Sequence, residues 1–90
     1  MVVFSLSYYQ IGIMSNMEDK IRTNILPSRL KLLRQEKGLT QQQLSDELGL
    51  NSVTYLRYEK GQREPSLDLL IEFAKYYDVS LDFLVGLSDF

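Results

Sequence analysis

The sequence contains neither cysteine nor histidine. Those two absences remove disulfide staples, thiolate and imidazole metal sites, cysteine nucleophiles and histidine acid–base chemistry together. No glycine-rich phosphate loop or metal-spaced acidic cluster replaces them. The adjacent Asp46 and Glu47 fall on a predicted helix and point to solvent, so the expectation is of a protein that is not an enzyme and carries no metal or cofactor. Long apolar runs are lacking as well. Met1 to Met14 is rather apolar, but it is too short to span a bilayer, and Ser, Gln and Gly interrupt it. It also has no basic leader and no small-residue cleavage site, so neither a membrane segment nor a signal peptide is expected. A fold held by packing alone suits a reducing, cytoplasmic setting.

What remains is a chain of 90 residues, 44% hydrophobic, with a formal net charge of −2. That is one small domain with a thin stability margin. The charge is unevenly spread. Between Lys20 and Leu44 stand Lys20, Arg22, Arg29, Lys31, Arg34 and Lys37 against Glu36, and Arg57, Lys60 and Arg63 follow against Glu59. From Glu64 onward only Lys75 is basic, among six acids. A basic front with an acidic back is compatible with a phosphate-rich partner despite the negative total.

Turn and cap residues divide the chain into five short helices without repeats or low-complexity sequence. The first is predicted from about Pro27, a residue tolerated in a first helical turn, through Lys37 to Gly38. Leu30 and Leu33 lie on one face, with Leu26 a turn earlier, and Arg29, Lys31 and Arg34 occupy the flanks. Thr40 caps a second helix, and Gln43 completes a capping box. Leu44 and Leu48 form its buried stripe, Ser45 falls where a neighbouring helix approaches, and Gly49 ends it. Asn51 caps a third helix from Ser52 to about Lys60. Its spacing sends Tyr55 and Tyr58 inward with Leu50, leaving Ser52, Val53, Leu56, Arg57 and Lys60 on the other faces. Ser66 opens a fourth helix in which Leu67, Leu70, Ile71 and Ala74 follow the i, i+3, i+4, i+7 pattern, ending near Tyr77 and Asp78. A fifth runs from Leu81 to about Val85 between Ser80 and Gly86.

Two helices joined by a tight turn at Gly49-Leu50-Asn51 have the form of a helix-turn-helix. The residues from Ser28 to Gly86 resemble the Cro/C1-type (xenobiotic-response-element) helix-turn-helix domain of phage repressors and bacterial regulators. The elements RLKLLRQEKGLTQQQL, YLRYEKGQREPSLDLL and YDVSLDFLVG carry the resemblance by their order and spacing. It implies an all-α, lambda-repressor-like five-helix bundle that binds double-stranded DNA, usually as a homodimer on a palindromic operator. By that resemblance Gln41 binds a phosphate or braces the recognition helix. Asn51, Ser52, Val53 and Arg57 face bases or backbone, Lys60 and Arg63 follow the phosphates, and Arg34 pairs with Glu59 internally. Ser52, Val53 and Leu56 are shorter or more apolar than the residues often found there.

Physical chemistry supports those roles on its own terms. Arg57 can donate twice to guanine O6 and N7, Val53 can touch a thymine methyl, and Ser52 can bond several bases. Gln41 can donate to a phosphate at a helix start. An acid beside phosphates must be turned inward and paired, which is the expectation for Glu59 with Arg34. The leading expectation is a sequence-specific transcriptional regulator, most simply a repressor, encoded by a bacterium or phage and without a small-molecule ligand. A protein-interaction module on the same fold, such as an antitoxin or antirepressor partner, is the alternative.

The domain is expected over 27–87, with 88–90 as a tail and 1–26 as an N-terminal extension. In the extension Phe4, Leu6 and Tyr8 alternate with serines, which reads either as a dimerisation strand or as a loosely ordered stretch upstream of a start at Met14 or Met17. Helix 5 with Phe83, Leu84, Leu87 and Phe90 is a second candidate dimer surface.

Overall fold

Each of the last four helices is set by a residue that satisfies its free end, and the five follow in the expected order. The computed structural model describes residues 25–90, so the expected strand around Phe4, Leu6 and Tyr8 lies outside the described residues. Among the described residues all regular structure is helical: α1 over 25–36, α2 over Gln41–Leu48, α3 over Ser52–Glu59, α4 over Leu67–Tyr77 and α5 over Leu81–Val85.

Thr40 accepts from the Gln43 backbone N–H while the Gln43 side chain accepts from the Thr40 N–H, closing the capping box at α2. Ser66 and Ser80 cap α4 and α5 by the serine side alone, accepting from the N–H groups of Leu69 and Phe83. Asp78 ends α4 in the left-handed region at φ 56°, a conformation its short polar side chain tolerates. The start of α1 differs from expectation. The helix is already formed at residue 25, two positions before Pro27. Proline needs no N–H acceptor in a first turn, so it sits inside the helix start rather than marking it.

The core takes Leu26, Leu30 and Leu33 from α1, Leu44 from α2, Tyr55 and Tyr58 from α3, Phe73 and Tyr77 from α4, and Leu84 from α5. Ser45 is fully buried, and its hydroxyl donates to the Gln41 carbonyl at 2.8 Å. A small side chain with its polar atom satisfied lets α2 lie close against α3. Tyr55 meets Tyr58 and Phe73 edge-on, with ring centroids 6.5 and 6.1 Å apart.

The buried face of α4 corrects the expected one. Leu67 is 63% exposed and Ile71 37%. The inward stripe is instead Leu70, Phe73, Ala74 and Tyr77, with Phe73 fully buried. Both stripes satisfy the same spacing rule, because eight of the eleven residues in LDLLIEFAKYY are apolar or aromatic. Packing of Phe73 on Tyr55 selects the phase.

Arg29 and Lys37 also have structural work. The Arg29 guanidinium donates to the carbonyls of Phe83 and Ser88, the latter at 2.8 Å, and stacks over the Phe83 ring at 4.0 Å. It therefore ties α1 to the end of α5. Lys37 lies over the Tyr76 ring at 4.7 Å.

Candidate nucleic-acid interface

The angle between α2 and α3 is held by a cluster of hydrogen bonds around one carboxylate. Glu59, the last residue of α3, has a side chain only 3% exposed. Its Oε2 accepts from Arg34 Nε at 2.6 Å and from the Tyr55 hydroxyl. Its Oε1 accepts from Arg34 Nη2 and from Gln41 Nε2, each at 3.1 Å. Arg34 extends the cluster by donating from Nη1 to the Leu39 carbonyl at 2.8 Å. One guanidinium thus joins α1, the turn before α2, and α3, while Gln41 joins the first turn of α2 to the last of α3.

Burial alone would push the Glu59 carboxyl up. The hydrogen bonds from Arg34, Tyr55 and Gln41, together with the Arg34 charge, outweigh it and hold the group below its ordinary value. Burial, then the hydrogen bond to Glu59, pushes the Tyr55 phenol well above its ordinary value, so it remains a donor. The hydrogen bond to Glu59 likewise raises Arg34. The one acid of α3 is thereby neutralised inside the protein rather than presented beside Arg57 and Lys60.

The opposite face of α3 is open. Val53 is 56% exposed, and Arg57, Lys60 and Arg63 are exposed. Ser52, Thr54 and Leu56 are half-buried. Asn51 is exposed, but its carbonyl oxygen is in use, accepting from the N–H groups of Val53 at 2.9 Å and Thr54 at 3.1 Å. Lys60 closes α3, and Gly61 turns the chain at φ 71°, where an added Cβ would stand 3.4 Å from Pro27 Cγ. The turn leads directly to Arg63.

Asn51, Ser52, Val53, Arg57, Lys60 and Arg63 therefore share the α3 segment and its exit, whereas Gln41, Arg34 and Glu59 meet in the cluster behind it. Gln41 is half-buried, and the structure directs one amide N–H of this residue to Glu59. The Tyr55 hydroxyl was not singled out from sequence, although its i, i+4 spacing from Glu59 places the two side chains on one face. Thr54 was also passed over, and spacing alone gives a half-buried hydroxyl beside the cap no distinguishing mark. Among the described residues no group of three or more acids is arranged to hold a metal ion, and no helix is long and apolar enough to cross a membrane.

A family model described as helix-turn-helix matches residues 30–84, which span the cluster, the whole of α2 to α4 and α5 up to Leu84. The chain is similar to the uncharacterized HTH-type transcriptional regulator YobD of Bacillus subtilis (strain 168), with 41% identity over 61 residues, covering 68% of this chain and 54% of that protein. It is 37% identical over 62 residues to the cryptic phage CTXphi transcriptional repressor RstR of Vibrio cholerae, covering 69% and 56%. It is 36% identical over 61 residues to the HTH-type transcriptional regulator ImmR of Bacillus subtilis (strain 168), covering 68% and 48%. The chain spans about half the length of these curated relatives.

Proposed function

Because the chain belongs to the Cro/C1-type helix-turn-helix family, we propose that it is a sequence-specific DNA-binding transcriptional regulator that inserts α3 into the major groove. The observation that carries this reading is the division of α3. Its single acid is buried and paired, while its outward face offers Arg57, Lys60, Val53 and Ser52. Arg57 reads a guanine edge and Val53 a thymine methyl. Lys60 and Arg63 lie along phosphates, and the half-buried Gln41 uses its second amide N–H for a phosphate while the first braces Glu59.

One helix reads only a few base pairs. We therefore propose a homodimer on a palindromic operator, its half-sites about 34 Å apart, acting as a repressor by occluding a promoter. Leu87 and Phe90, 60% and 91% exposed, favour the end of α5 as the dimer surface.

The test is a mobility-shift titration of the full chain on its own upstream DNA across a salt series. Two cationic phosphate contacts per protomer, four per dimer, predict that log affinity falls against log salt with a slope of roughly −4. Arg57→Ala should lose preference at one base position by about 1–3 kcal/mol, whereas Lys60→Ala should weaken all sequences alike. No specific band at low salt from a folded protein would overturn the reading. The exposed Val53 suits a protein partner's groove as well, and that outcome would leave the protein-interaction module standing.

A further inference from the structure

The side chains that α3 and its cap turn outward can give hydrogen bonds to DNA far more readily than they can receive them. Bidentate reading of adenine requires one amide to donate to N7 while its carbonyl accepts from the N6 amino group. At Asn51 the carbonyl is committed twice to the backbone N–H groups that begin α3, so only Nδ2 with its two N–H groups faces solvent. Reversing that amide would set N–H against N–H and abandon both bonds. Gln41 and Gln42 stand on α2, where each has one amide N–H engaged, to Glu59 at 3.1 Å and to Asp46 at 2.9 Å. No residue of α3 itself is an amide, and its only carboxylate is the inward Glu59. Arg57, Lys60 and Arg63 are donors only, and Val53 and Leu56 have no polar side-chain atom. On the outward side of α3 itself the Ser52 and Thr54 hydroxyls are the remaining side-chain acceptors, and one hydroxyl bonds either kind of base edge.

We infer that α3 reads guanine through its acceptors opposite Arg57 and thymine through its methyl opposite Val53, that it makes no bidentate adenine contact, and that the outward amide of Asn51 donates to a phosphate. The inference rests on the DNA-reading assignment above and narrows its substrate to half-sites with guanine and thymine on the contacted edge.

The full chain is first used to select duplexes from a random pool, and single atoms of the selected half-site are then replaced. Uracil for thymine, which removes one methyl group, should weaken binding about four-fold at one position. Replacing guanine by 7-deazaguanine should weaken it about ten-fold or more at another. Purine for adenine, which removes the N6 amino group, should change binding less than about two-fold at every adenine. A larger purine effect at any adenine, by the same measure, overturns the inference. Asn51→Asp keeps a capping oxygen but sets a carboxylate against the phosphates. It should melt no lower than the wild type, select the same sequence, and bind every sequence about ten-fold more weakly. A changed preference at one position would mean that Asn51 reads a base, which also overturns the inference. A pool in which nothing is enriched overturns the DNA-reading assignment itself and this inference with it, whereas adenine dependence in an enriched site overturns this inference alone.

Discussion

Glu59→Gln tests whether the buried carboxylate holds α3 in place. The substitution preserves volume but leaves one acceptor oxygen where there were two. Arg34 donates to both oxygens, Nε to one and Nη2 to the other. Whichever way the new amide is turned, its NH₂ confronts an Arg34 N–H. Tyr55 can rotate its hydroxyl and Gln41 can reverse its amide, but a guanidinium has no acceptor to offer. The Arg34 charge, on a side chain 10% exposed, is left without a counter-ion.

Breaking a buried pair from one side costs about 3–5 kcal/mol, and the surviving acceptor places this variant near about 3. A domain of this size has about 3–10 kcal/mol in total and loses about 4–8 °C of Tm per kcal/mol. Thermal unfolding followed by circular dichroism should therefore show a fall of about 12–24 °C. The triple variant Arg34→Met/Tyr55→Phe/Glu59→Leu removes every group that the single change orphans in the core, and it should recover most of the loss. A Glu59→Gln protein that melts within about 4 °C of the wild type, or a triple variant less stable than the single, would refute the reasoning.

The same carboxylate sets an acid limit. Its value is held below the ordinary 4.5 in the fold, so the unfolded chain binds the proton first. The stabilisation is complete above that range and is lost as pH falls through the lower folded value. Tm against pH should drop more steeply on the acid side for the wild type than for the triple variant. Elsewhere in the core, the Tyr77 hydroxyl is buried with no hydrogen-bond partner among the described residues, and burial raises it well above its ordinary value. Tyr77→Phe should leave urea-unfolding stability unchanged or raise it by about 1 kcal/mol, and a loss would reveal a partner. The phase of α4 is checked by contrast: Phe73→Ala should cost about 3–5 kcal/mol, and Leu67→Ala within about 0.5. Equal losses would contradict the packing.

The parts of this fold that are written locally were legible in the sequence. Thr40 with Gln43, Asn51, Ser66 and Ser80 act within three residues of themselves, so the starts of α2 to α5 were visible from their own neighbourhoods. The inward pair Tyr55 and Tyr58 followed from spacing in a helix with few apolar alternatives. In α4 apolar residues abound, and only a partner distant in sequence distinguishes one stripe from the other. Arg29 was similarly opaque, since it bonds carbonyls 54 and 59 residues away, and a basic residue on a helix flank resembles any solvated charge. The outward set on α3 was visible as a set. What each member offers a base was not, because the Asn51 cap decides which end of an amide is free.

The inward placement of Glu59 has a consequence for how such a reader can be re-addressed. Everything that orients α3 attaches to its buried side, through Tyr55, Tyr58 and Glu59, while Ser52, Val53, Leu56 and Arg57 bear none of that cluster's bonds. Those four positions are an alphabet mounted on a fixed bracket. A library varied there alone should keep its melting behaviour while its members diverge in the sequences they choose, so that lineages of this fold can acquire new addresses without first being rebuilt.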